Sequence, residues 1–320
     1  MFYAYSQDVK TMQENARSFM MQKDHANAIL ILNRALDIEP NNIETRKSLA
    51  LNYYLQKNYP KAIEIITPAL EYENADDECF QIAGNINQSS GNDDEAEKIF
   101  RKGLKKLPGS GPLYNELGEL LSEKSKSKDA IKEWEHGIEA DPNYSRNYLN
   151  ATRYYYNEEN KIWCIIYGEI FLNLDPLNTQ TPEIKSMILE SYKLLFANVD
   201  LVKSNKEKNK FAESVIQIFN KQSNIAGLGI NPESLTMIRT RFVLDWFNEK
   251  DEKFPFKLFE YHQQLLRAGL FDAYNQWIFG TVQNLSAYQN WTSTHAAEYN
   301  DFSKFQKNRV FKLVPGQYYH

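Results

Sequence analysis

Cysteine is nearly absent: Cys79 and Cys164 are the only two in 320 residues. Two thiols and five scattered histidines cannot build a metal cage, and a disulfide is possible but unsupported. Both cysteines are read as semi-buried thiols, and no metal or other cofactor is expected. Glycine and proline are also few, at 13 and 11, which suits helical structure. No run of 18 apolar residues occurs, so no transmembrane helix is expected.

Positive charge is not in excess either. The net charge of −5 argues against a nucleic-acid partner, which usually needs a basic face. The charge is uneven: residues 178–320 carry 17 Lys and Arg against 14 Asp and Glu, leaving 20 against 28 in residues 1–177. Catalytic signatures are missing as well. There is no G-x-S-x-G, no H-E-x-x-H and no P-loop, and Gly227 and Gly229 do not form a nucleotide fingerprint. His295 and Glu298 lie three apart on one helix face, which reads as a surface pair because two ligands do not make a metal site. The carboxylates fall on exposed helix positions at i, i+4 spacing, and none forms a distinctive pair.

What the chain does have is a period. Pro40, Pro108, Pro142 and Pro176 are spaced by multiples of 34, and Asn74 fills the missing slot. Counting from residue 9, the twentieth place holds Ala28, Ala62, Ala96, Ala130 and Cys164. The twenty-seventh holds Ala35, Ala69, Gly103, Gly137 and Phe171, and the eighth holds Ala16, Ala50, Gly84, Gly118 and Thr152. Large residues recur at the twenty-fourth place (Leu32, Ile66, Phe100, Trp134) and at the fourth (Phe80, Tyr114, Tyr148). Small places let antiparallel helices approach, and large ones fill the space between them. Proline ends each unit because it lacks an N–H and clashes with the preceding turn.

The segments "NAILILNRALDIEP", "KAIEIITPAL", "EAEKIFRKGLKKLP" and "DAIKEWEHGIEADP" resemble the tetratricopeptide repeat family over about the first 170 residues. Repeat five departs from the pattern through Cys164, Gly168 and Phe171, as if fitted to a different neighbour. The expected fold is an all-α, right-handed superhelical solenoid with irregular C-terminal helices and a capping helix. Its divisions are a short N-terminal extension (1–8), five repeats (9–177), an irregular helical region (178–253), and a degenerate repeat-like unit with a capping helix and tail (254–320). The degenerate unit rests on Ala273, Trp277 and Gly280, spaced like Ala130, Trp134 and Gly137. Residues 286–311 read as one long helical pattern.

The opening "MFYAYSQDVK" is apolar and aromatic, then polar. It is too short for a signal peptide but fits the end of one whose upstream part is missing. An upstream start would place the protein in the periplasm or export it; a true start at Met1 leaves it cytoplasmic.

The resemblance implies a concave groove lined by the first helices of the repeats, holding a protein or peptide partner. The corresponding positions here are Arg17, Met20, Lys47, Tyr54, Gln81, Asn85, Gln88, Asn115, Glu119, Arg146, Asn150, Arg153 and Tyr156. Amides and Arg can bond a peptide backbone, and Tyr adds apolar area with a polar tip. A C-terminal-carboxylate clamp of the kind found in chaperone-binding relatives does not fit, because Glu116 stands where an amide is required. The expectation is therefore a non-catalytic scaffold or adaptor. The alternative is a small-ligand binder or enzyme with a pocket between the solenoid and the aromatic C-terminal helices, lined by Phe254, Phe256, Phe259, Tyr261, Trp277 and Trp291. Self-association through repeat five or the C-terminal helices is a third reading.

Overall fold

The computed structural model describes residues 2–197, 200–204, 208–227 and 229–320. Met1 and the side chains of residues 2–7, on which the leader reading falls, lie outside the described residues. The protein is 76% helical with no strands among the described residues. It divides into two compact units, residues 1–133 and 134–320. No described helix is long and apolar enough to cross a membrane.

Ten helices follow one another, two to a repeat: α1 (Phe2–Met21) and α2 (His25–Ile38), α3 (Ile43–Leu55) and α4 (Tyr59–Ile66), α5 (Asp77–Ser89) and α6 (Asp93–Lys106), α7 (Gly111–Glu123) and α8 (Ser127–Ala140), and α9 (Ser145–Asn157) and α10 (Lys161–Leu174); α1 packs on α2, α3 on α4, α5 on α6 and α9 on α10. The turn inside each pair is the same. Lys23, Lys57, Gly91, Ser125 and Glu159, spaced by 34, all take positive φ between 56° and 83°. Around Lys57 the next amide, of Asn58, donates to Tyr53 O (2.8 Å) and Lys57 N donates to Tyr54 O (2.8 Å). That is a Schellman stop, which satisfies the last carbonyls of the first helix. The residue after it then starts the second helix: the side chains of Asp24, Asn58 and Asn160 accept amides of the following turn. In repeat two, Pro68 cannot continue the helix, so α4 ends at Ile66 and a 3-10 turn, Thr67–Glu71, replaces its last stretch.

The small columns are the places of closest approach. All five residues of the twentieth place are fully buried. A Cβ on Gly84 would overlap the ring of Phe100, so the large twenty-fourth place fills the gap left at the eighth. A Cβ on Gly103 would stand 2.8 Å from Leu113 and from Phe80, so this glycine admits the first helix of the next repeat. In repeat five the same role moves to Gly168, whose Cβ would meet Ile188 at 2.9 Å. Ile188 belongs to α11 (Thr181–Leu195). Residues 162–172 of α10 are buried without interruption, as expected of a helix covered on every side.

The second unit continues with α12 (Leu201–Ser204), α13 (Lys210–Asn220), α14 (Ser223–Ala226), α15 (Pro232–Glu249), α16 (Lys257–Arg267) and α17 (Phe271–Asn275). A π-helical turn at Gln276–Gly280 leads into α18 (Thr281–Gln283), α19 (Leu285–Thr294) and α20 (Ala296–Asn308). The α16–α17 turn repeats the Schellman bonds, with Gly269 at φ 68° and Leu270 N donating to Leu265 O (2.9 Å). Gly269 stands four residues before Ala273, whereas Ser125 stands five before Ala130. The 286–311 pattern is split into α19 and α20 at His295, whose backbone leaves the helical region (φ −114°, ψ 34°) and whose ring stacks on Trp291 at 4.5 Å.

An aromatic core fills this unit. Phe219 stacks on Phe242 at 4.3 Å, Trp246 meets Phe259 edge-on at 4.8 Å, and Phe211 packs against Phe254 and Phe256. Phe254, Phe256, Phe259 and Tyr261 are buried here, while Trp277 and Trp291 are half-buried. The aromatics expected to line a ligand pocket are mostly core. Both cysteines are free and buried.

Candidate functional site

In the first unit, α3, α5 and α7 are successive neighbours and present the predicted groove positions. Cross-links between adjacent first helices run along this row. Tyr54 hydroxyl lies 3.2 Å from Ser89 Oγ, Gln81 Nε2 donates to Glu116 Oε1 (3.0 Å), and Gln88 Nε2 donates to Glu123 Oε2 (2.6 Å). Each link spans 35 residues, one period plus one. Asn85 sits between Gln81 and Gln88 on α5, half-buried, and its side chain makes no hydrogen bond among the described residues.

Two predicted residues lie deeper than a groove contact requires. Lys47 is 5% exposed, and its Nζ lies 2.7 Å from Glu44, 2.8 Å from Asp76 and 2.6 Å from Glu78. Burial opposes its charge, yet hydrogen bonds to Asp76, Glu44 and Glu78 outweigh that and hold the ammonium above the usual lysine range. Asn115 is fully buried and donates to Glu119 Oε1 (3.0 Å). Arg17, on α1, is exposed.

In the second unit the predicted residues lie on α9. Arg146 is exposed, Asn150 is buried and Tyr156 is half-buried. Arg153 forks onto Glu183, with contacts of 2.9 and 2.6 Å, and also donates to Gln180. It therefore ties α9 to α11. The sequence reading missed the carboxylate partners Glu44, Asp76, Glu78, Glu123 and Glu183. The 35-residue separation of the amide–carboxylate links was the signal available for Glu123.

A second polar constellation corrects the reading that no carboxylate forms a distinctive pair. Glu169 of α10 is 2% exposed and is surrounded by Arg239 of α15, His262 of α16 and Tyr274 of α17. Its Oε1 accepts from Tyr274 hydroxyl (2.8 Å), lies 2.8 Å from His262 Nε2, and pairs with Arg239. Arg239 also donates to Asn275. Burial alone would raise the Glu169 pKa, but Arg239 and His262 outweigh it and hold it at about 2. Burial pushes His262 below its usual value. The cluster is thus a carboxylate, a guanidinium and a neutral imidazole at neutral pH. Two bases and a cation stand together, but the adjacent cavity measures only about 10 Å³, room for about one water. A closed cluster among filled aromatics does not favour the ligand-pocket reading.

His295 and Glu298 remain apart in role: His295 stacks on Trp291, and Glu298 accepts the amide of Ala273 (3.2 Å). No group of metal-ligating side chains occurs among the described residues.

A family model described as anaphase-promoting complex, cyclosome, subunit 3 matches residues 21–103. Among solved structures, pilF of Pseudomonas aeruginosa is similar at 16% identity, over 63% of this chain and 90% of that chain, with a TM-score of 0.51. A tetratricopeptide repeat protein from Parabacteroides merdae matches at 14% identity over 82% of this chain and 99% of that one, with a TM-score of 0.44. The crystal structure of MamA matches at 20% identity over 50% and 94%, with a TM-score of 0.42. No curated protein matches the sequence. The resemblance to tetratricopeptide repeat proteins holds for the fold, and the C-terminal half has no family match.

Proposed function

We propose that the protein is a non-catalytic scaffold that holds a protein or peptide partner on the first-helix face of its repeats. The observation that carries this reading is the row on α5. Gln81 and Gln88 are each held by a carboxylate from α7, and the unengaged Asn85 amide stands between them. The Asn85 amide offers both a donor and an acceptor to a peptide unit, and the held Gln81 and Gln88 side chains on either side cost little further side-chain entropy on binding. Tyr54 and Glu119 flank it in the first unit. Arg146, Arg153 and Tyr156 give the corresponding surface of α9 in the second, with Asn150 buried behind them, and Arg17 that of α1. Lys47 and Asn115 act behind the surface, holding the helices in register.

The test is capture of partners by the purified protein and by two variants, Asn85→Ala and Arg146→Glu/Arg153→Glu, each checked for unchanged helical circular dichroism. The same partners should be retained at least about tenfold less well by the Asn85→Ala protein. Equal retention by all three proteins would remove the first-helix face as the binding surface.

A further inference from the structure

The segment after α20 is irregular yet docked. Leu313 is buried, and its backbone is clasped at both polar groups by one side chain: Leu313 N donates to Asn143 Oδ1 (2.9 Å), and Asn143 Nδ2 donates to Leu313 O (3.2 Å). The chain turns at Pro315-Gly316, where Gly316 takes φ 85°. Gln317 Oε1 then accepts the amide of Lys257 (2.8 Å). Tyr318 is half-buried, and Tyr319 stacks on Phe211 at 4.6 Å while its hydroxyl donates to Pro255 O (2.7 Å). His320 lies 2.9 Å from Glu135, 2.7 Å from Tyr155 hydroxyl, and edge-on to Trp163 at 4.7 Å.

These contacts have the form of a bound peptide. Tyr148 of α9, Trp163 and Tyr167 of α10, Phe211 of α13 and Phe256 just before α16 line a groove in which only about 20 Å³ stays unfilled. Side chains of the groove read the backbone of the segment, and aromatic side chains of the segment fill the groove. Val314, Pro315 and Gly316 remain exposed between the two anchoring points. Trp163 Nε1 is buried without a hydrogen-bond partner among the described residues, so the groove keeps a donor that the segment leaves unused.

We infer that this groove is a peptide-recognition site and that residues 313–320 are its resident, displaceable occupant. The partner it fits is a protein segment carrying an apolar residue followed, five and six positions on, by two aromatic residues, as Leu313 is followed by Tyr318 and Tyr319. This surface is separate from the first-helix positions proposed above, because its walls come from Tyr148 at a packing place of α9, from α10 and α13, and from Phe256 before α16. A tethered segment competes at an effective concentration on the order of millimolar. A free peptide of the same pattern should therefore bind poorly until the tether is removed or loosened.

The probe is a fluorescent synthetic peptide of residues 309–320, RVFKLVPGQYYH, titrated against the full chain and against a variant lacking those residues. We expect the shortened protein to bind at least about tenfold more tightly than the full chain. Asn143→Ala in the shortened protein should weaken binding, and a peptide with both Tyr318 and Tyr319 replaced by Ala should not bind. If the shortened protein loses its helical signal, the full-length Tyr319→Ala variant serves instead, with its segment loosened in place. Absence of peptide binding by whichever of the two is folded overturns the inference. So does tight dimerisation of the full chain that the deletion abolishes, since the occupant would then be a second copy.

Discussion

Glu169 Oε1 stands 2.8 Å from His262 Nε2 inside the second unit, and both side chains are almost completely removed from water. Four helices meet at this carboxylate, because Arg239 and Tyr274 address the same oxygen. Glu169→Gln keeps the shape but leaves Arg239 as an uncompensated buried cation. We expect a loss of about 3–5 kcal/mol in the unfolding of the second unit, read as a fall in urea midpoint by tryptophan fluorescence. An unchanged midpoint would show that the cluster contributes nothing to cohesion.

The same cluster sets an acid limit. Glu169 is held at about 2, below its ordinary value, so its stabilisation is complete above pH 4.5 and is lost as pH falls towards 2. His262 is also lowered, so the unfolded chain takes up its proton near pH 6.5 while the folded chain does not. Both effects make stability fall with acidity, the histidine part first. A His262→Gln variant should lose the part of the slope that begins near pH 6.5. Parallel stability profiles for the two proteins would contradict this.

Lys185 is 6% exposed and has no carboxylate partner among the described residues: its Nζ donates to Trp277 O (2.5 Å) and lies 4.2 Å from the Trp277 ring. Burial pushes its pKa down to about 8. Between pH 8 and 10.5 the unfolded chain binds more protons than the folded one, so stability should rise with pH in that window. Lys185→Met should stabilise the protein at pH 7 by about 1–3 kcal/mol and abolish the rise. A lower melting temperature for the variant would mean that the carbonyl and ring contacts outweigh desolvation.

Gly103 tests the repeat packing. Its Cβ position is 2.8 Å from Leu113 and from Phe80, so Gly103→Val should destabilise the first unit by about 1–3 kcal/mol. Adding Leu113→Ala opens space, so the double variant should lose less than the sum of the two single losses. Additive losses would mean that the helices separate rather than collide.

The repeat half was legible because its physics is local. A small residue every 34 positions records where helices touch, and the left-handed turn residues, from Lys23 to Glu159, keep the same spacing. The groove positions were legible as places on helices but not as environments. Lys47 and Arg146 occupy equivalent surfaces in the pattern, yet one is buried among three carboxylates and the other is exposed. The long helical pattern over 286–311 hid its break, since the ring stacking of His295 on Trp291 has no signature in periodicity.

The sequence by itself determined the clock, the pairing of helices and the all-α class, because each depends on neighbours a fixed distance apart along the chain. Only the tertiary structure decided which charges are buried and what fills the groove of repeat five. Glu169 finds Arg239 70 residues on, Tyr274 105 residues on, and Asn143 clasps Leu313 across 170. Contacts at such separations carry no period. A charged residue also looks the same in a sequence whether it faces water or a partner, and that difference determines its pKa and its part in holding the fold.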